Sequence, residues 1–327
     1  EQPRGAAPDT SAAPALNSPA TPSEDSRMDG QLRRRLITAS IAVALLVAAV
    51  TGTILHRRSV TRGGADGTGA AAANAMNAKP YARMSEAEQL AFVREQEQRV
   101  SALMGDRPAK LNEDALRSIK MYVDRYVALT GSTSDKPRRE DLRVIYARAV
   151  PHAPLIARSF AARKVPVVVG IYLPMIESAY RPCFESARGA RGIFQFMPQT
   201  ARQYGVARGE MCDVGKMAPA AAHYIADLMA ELGEDAESMT LVLLSYNRGP
   251  EWVRDTLREL RDAPGYERNF WTLFAHRDRL DDVFRNENAG YVPMFFAAAI
   301  IGENPQVFGL QTPPLSVSTG TNPPANP

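Results

Sequence analysis

The feature that most constrains this chain is a run without a single charge, LITASIAVALLVAAVTGTIL, from Leu36 to Leu55, preceded by Arg33-Arg34-Arg35. About 20 apolar residues wound as a helix span the ~30 Å of a bilayer's hydrocarbon core. The expectation is a membrane anchor over residues 33–58. Arg57, Arg58 and Arg62 follow the run, so the charge asymmetry across it is weak. A secretory signal peptide starting near Met28 is the competing reading. The length of the run and the lack of a clear small-x-small cleavage site favour an uncleaved anchor. On either reading the bulk of the chain leaves the cytoplasm.

The run divides the chain. Residues 1–32 are rich in Ala, Pro, Ser and Asp with no apolar periodicity, and are expected to be a disordered cytoplasmic segment. Residues 59–80, rich in Gly, Ala and Asn, read as a flexible tether. Beyond it apolar residues recur at helical spacing, as in Ile119, Tyr122, Val123, Tyr126 and Val127. Such patterns predict helices over 85–103, 112–129, 139–150 and 155–163, and an apolar segment from Gly170 to the pair Glu177-Ser178. Further helices are predicted from Pro198 to Tyr204 and over 218–232, 238–247 and 250–261. A last one runs from Tyr291 to Ile301, interrupted by Pro293. Few stretches alternate with period two, so the fold class is all-α. The expected layout is a helical extension over 81–150, a main helical domain over 151–305 and a disordered tail over 306–327.

Charge and rarer residues narrow the chemistry. A net charge of +3 on 327 residues is too mild to point to nucleic acid. The four histidines are scattered, and Cys183 and Cys212 form no CxxC pattern, so no metal or cofactor is expected. Glu177 stands where a buried helix gives way to a loop. Apolar neighbours there raise a carboxyl pKa toward the working pH, which suits a general acid. A lone glutamate at such a place is more often structural, so the case rests on its companions.

Those companions are Gly189-Ala190-Arg191-Gly192-Ile193-Phe194-Gln195 in a loop and Ser245-Tyr246-Asn247-Arg248-Gly249 at the end of an apolar helix. With Glu177-Ser178, these three elements in this order resemble the lytic transglycosylases of the soluble-lytic-transglycosylase superfamily. The likeness is greatest to the membrane-bound D type, through Glu177-Ser178, the stretch from Gly189 to Gly205, and Tyr291-Val292-Pro293. It extends over roughly residues 112–305. The third element departs from the family pattern at Ser245 and Arg248, where relatives carry alanine.

The resemblance implies a lysozyme-like fold, of the goose-type and lytic-transglycosylase kind. It also implies cleavage of the β-1,4 bond between N-acetylmuramic acid and N-acetylglucosamine in peptidoglycan. Glu177 would be sole acid and then base, closing a 1,6-anhydro ring. The same resemblance makes Ser178, Phe194, Gln195, Tyr246, Asn247 and Tyr291 the substrate-binding candidates, with Phe194 an apolar cleft wall and Glu185 a solvated loop residue. Peptidoglycan glycan strands are the expected partner, beside the inner membrane through residues 36–55 and unidentified envelope assemblies. The implied location is single-pass in the inner membrane with the catalytic domain in the periplasm. There Cys183 and Cys212 are expected to pair and pin the loop after Glu177. The rival readings are a goose-type lysozyme hydrolase and a non-catalytic peptidoglycan-binding or scaffolding module.

Overall fold

The computed structural model describes residues 79–106, 109–136, 139–232 and 238–317. The expected anchor, tether and N-terminal segment lie outside these residues. Among those described, no helix is long and apolar enough to cross a membrane.

The described residues are helical, with no strand among them and only isolated bridges such as Glu185–Arg191. A short 3-10 turn, Tyr81–Arg83, leads into α1 (Glu86–Leu103) and α2 (Glu113–Val127). Both start where a cap is written in the sequence. Ser85 and Glu88 close a reciprocal capping box, and the Asn112 side chain accepts from the Ala115 amide. Next come α3 (Leu142–Ala149), α4 (Ala153–Ala162) and α5 (Val167–Ser178). After a long loop follow α6 (Pro198–Gln203), α7 (Val214–Leu232), α8 (Met239–Arg248) and α9 (Pro250–Glu259). The chain then forms α10 (Phe270–Ala275), a π-helical turn (Phe284–Asn288) and α11 (Tyr291–Glu303).

Helix α11 is the central post, buried along nearly its whole length and packed against α1, α2, α5 and α8. An all-round apolar sequence such as VPMFFAAAIIG has no polar face to offer water, so it is stable only when surrounded. Pro293 does not interrupt this helix. It falls in the first turn, where a missing N–H removes no helical bond.

The helical extension packs with the domain that follows it, the described residues of both parts belonging to one compact unit. The Asp106 carboxylate accepts from the Met239 amide at 2.5 Å, at the start of α8, and the Tyr146 hydroxyl donates to the Ala298 carbonyl in α11. The supposed tail also folds in as far as it is described. The Phe308 ring lies 5.1 Å from Tyr81 and 6.0 Å from Phe92, and Leu315 is fully buried. Pro, Thr and Ser dominate that stretch, yet a few apolar residues suffice to hold it, each contributing about 2 kcal/mol when buried.

Candidate active site

Helix α5 is apolar on every side and buried from Val168 to Ile176, so it runs through the core and its last turn returns to the surface at Glu177. Glu177 sits in that turn, partly buried. The helix stops because Ala179 and Tyr180 both adopt left-handed backbone, φ 51° and 57°, and their amides turn back to the carbonyls of Met175 and Pro174. A guanidinium fixes this stop from outside: Arg148 donates to the Ala179 carbonyl at 2.7 Å, while Glu140 binds Arg148 and Arg181. The carboxylate of Glu177 is thereby held at a fixed exit from the core.

The next residue, Ser178, is fully buried, and its hydroxyl donates to the Ile193 carbonyl at 2.8 Å. That bond ties the glutamate's helix to the loop carrying the second element. The loop is tight. Gly192 has φ +88°, and a Cβ added there would lie 2.2 Å from the Met211 carbonyl oxygen, so only glycine fits. Its amide donates to the Phe184 carbonyl at 2.9 Å. Gln195 also adopts positive φ, 52°, and its Nε2 donates to the carbonyls of Phe184 and Gly192, each at 2.8 Å. The Cys183–Cys212 disulfide closes the base of the loop.

Phe194 is fully buried and stacks on Phe160 with ring centroids 6.0 Å apart. Direct substrate contact, expected of Ser178 and Phe194, does not fit their burial. Both side chains face the interior and support the site from beneath.

The third element arrives from α8. The Tyr246 hydroxyl donates to the Phe194 carbonyl at 2.5 Å, and its ring packs against Phe196 and Tyr224. Burial, the nearby Glu177 carboxylate and Tyr224 push the Tyr246 hydroxyl well above its ordinary pKa, so it remains a donor. Asn247 is exposed, and its Oδ1 accepts from Asn288 Nδ2 at 2.6 Å. Arg248 turns aside to pair with Asp281 at 3.0 Å and lie over the Trp252 ring.

Tyr291, first residue of α11, completes the group. Its hydroxyl donates to Glu177 Oε1 at 2.5 Å, and its ring is buried. The structure thus brings Glu177, Tyr246 and Tyr291 together, with Ser178 and Phe194 below them. Gln195 and Asn247 lie on the adjoining loop and helix end, bonded to loop carbonyls and to Asn288 respectively. Glu185 pairs with Arg191 and Arg208, and Glu287 with Arg188, so these neighbouring acids are engaged by guanidinium groups. Among the described residues no cluster of His, Cys, Asp and Glu could hold a metal ion.

The sequence reading overlooked Asn288, Phe160 and the Arg148–Glu140 anchor. The run Asn286-Glu287-Asn288 just before Tyr291-Val292-Pro293 was the available signal for the first. The other two are set by tertiary packing alone.

A buried helix that delivers one glutamate to a tyrosine-lined surface within an all-α scaffold is lysozyme-like, and residues 155–269 match the Transglycosylase SLT domain family. Over 173 residues the chain is 27% identical to the membrane-bound lytic murein transglycosylase D of Escherichia coli strain K12, covering 53% of this chain and 36% of that protein. The protein of the same name from Escherichia coli O6:H1 matches to the same extent. The chain spans about a third of the length of these relatives. Asn288 and Tyr291 lie beyond the residues that match the family.

Proposed function

We propose that this domain is a peptidoglycan lytic transglycosylase that cleaves the bond between N-acetylmuramic acid and N-acetylglucosamine, with Glu177 as its acid and base. The observation that carries the reading is the setting of Glu177, which is partly buried at the end of α5 and bonded by the Tyr291 hydroxyl, while Glu185 of the following loop and Glu287 of the π-helical turn are engaged with arginines. The printed name of the Escherichia coli relatives supports the same chemistry.

In the first step the protonated Glu177 carboxyl donates to the glycosidic oxygen as the muramoyl C1–O4 bond breaks. The resulting carboxylate then takes the proton of the muramoyl C6 hydroxyl while O6 bonds to C1. One bond breaks and one forms, no water is consumed, and Glu177 ends protonated as it began. A hydrolase of the usual kind needs a second carboxylate at a set separation to activate water or form a covalent intermediate. A single glutamate suits the intramolecular route, because the nucleophile is carried by the substrate.

The Tyr291 hydroxyl holds Glu177 in place, while Tyr246 holds the Phe194 carbonyl and so the loop edge. Asn247 offers its NH2 group and Gln195 its side-chain oxygen to sugar hydroxyl and N-acetyl groups, the other end of each amide being engaged by the protein. Ser178 and Phe194 set the register between α5 and the loop. Residues 36–55 anchor the chain in the inner membrane and present the domain to the periplasmic wall, a reading supported by the uncharged run.

The test is mass spectrometry of products released from purified sacculi. Fragments with 1,6-anhydromuramoyl ends support the reading, and reducing ends alone replace it with a goose-type hydrolase. Binding of sacculi without release of any product identifies a scaffolding module.

A further inference from the structure

Asn288 has no role in the chemistry so far, yet its surroundings are unusual. It closes the π-helical turn Phe284–Asn288, in which the Ala289 amide reaches back to the Phe284 carbonyl at 2.8 Å. Such turns recur at functional sites because the extra residue re-aims the side chains around it. Here the re-aimed side chain is buried, 5% exposed, three residues before the tyrosine that touches Glu177. Its Nδ2 donates to Asn247 Oδ1 at 2.6 Å, while its own Oδ1 is buried and has no hydrogen-bond partner among the described residues. A buried acceptor without a partner is costly, and a fold that keeps one calls for an explanation.

We infer that Asn288 is a positioning residue that fixes which end of the Asn247 amide the cleft presents, and thereby selects N-acetylated sugar. With the Asn247 oxygen occupied by Asn288, the Asn247 NH2 group is the end offered to a ligand. An NH2 group can only donate, so its complement is an acceptor such as an acetamido carbonyl. A free sugar amine is protonated at neutral pH and has no acceptor, so it is rejected. The π-helical turn supplies the register for this, and the Arg188–Glu287 ion pair, 3.1 Å, tethers the turn to the loop that follows Glu177. This inference rests on the reading of the domain as one that binds peptidoglycan glycan.

The test compares kcat/KM on soluble glycan strands with that on the same strands enzymatically de-N-acetylated at glucosamine, using the full chain. Wild type is expected to prefer the acetylated strand. Asn288→Asp replaces the donor by an acceptor, so Asn247 turns over and presents its oxygen. The preference should fall by about tenfold, the scale of one neutral hydrogen bond. Asn288→Ala frees Asn247 to adopt either orientation and should lower the preference by a smaller factor, and it decides the matter if Asn288→Asp fails to fold. A preference unchanged in folded variants overturns the inference, even when absolute rates drop. So does a wild type that does not discriminate. If wild type releases no 1,6-anhydro product, the catalytic reading falls, and the ratio of Kd values for the two strands decides the role of Asn288 by the same tenfold criterion.

Discussion

Replacing both Cys183 and Cys212 by alanine probes how the site loop is held. The disulfide joins residues 29 apart in sequence, and the segment it closes carries Gly192, Phe194 and Gln195. In the chain-entropy relation, a loop of that length confines the unfolded state by about 3.5 kcal/mol at 25 °C. The other ties of the loop, including the Ser178 hydroxyl on Ile193 and the Gly192 amide on Phe184, remain in the variant. The native site should therefore keep its geometry, and the loss should appear chiefly as stability. Equilibrium urea unfolding of the purified chain should show a midpoint lowered by about 1–2 M, for a slope of about 2–3 kcal/mol per M. Turnover of sacculi in native buffer should fall by less than about threefold, since the folded population stays dominant. A stability loss below about 1 kcal/mol would refute the reasoning, because the loop would then be confined by its other contacts even without the bridge.

Other perturbations read separate parts of the structure. Gly192→Ala meets both a left-handed backbone and the Met211 carbonyl, so it should cost more than about 2 kcal/mol in urea unfolding and depress turnover through the Gln195 loop. Tyr291→Phe removes the hydroxyl on Glu177 while keeping the buried ring, so kcat should drop about 10- to 100-fold with a melting temperature within a few degrees of wild type. Glu97 is buried in α1, and burial, opposed by the Ser101 hydroxyl bond and reinforced by Asp106, raises its pKa to about 7. Its folded pKa exceeds its unfolded one of 4.5, so the folded state holds a proton that the unfolded state has lost, and stability falls as pH rises from about 4.5 to 7. Glu97→Gln should remove that slope and make the protein more stable at pH 8, by on the order of 2 kcal/mol, in pH-dependent unfolding.

Much of the architecture was legible because helix starts carry local chemistry. Ser85, Asn112, Pro198 and Pro250 each mark the residue at or beside a real helix start, since a cap or a fixed φ acts within a few residues. The order Glu177, Gln195, Tyr246-Asn247, Tyr291 was legible for the same reason that a motif is: its residue types are unusual together. What failed was whatever depends on partners distant in the chain. Ser178 and Phe194 read as substrate contacts, but Ile193 and Phe160 occupy them from within. Arg248 stood in the sequence only as a departure from the family's alanine, and its place is set by Asp281 and Trp252, distant in the chain. Residues 306–317 read as tail because the rings of Tyr81 and Phe92 that receive Phe308 come from the opposite end of the domain. The π-helical turn at Phe284–Asn288 has no periodic signature at all, since one inserted residue leaves no pattern to detect.

Glu177→Gln tests the central claim most directly. The amide keeps the volume of the side chain and can still receive the Tyr291 hydroxyl, so folding and sacculus binding should persist while the proton donor is lost. Mass spectrometry of products from purified sacculi is expected to find 1,6-anhydromuramoyl ends with wild type and none above background with Glu177→Gln. Anhydro-ended fragments released by the variant at a rate near wild type would show that another group supplies the proton.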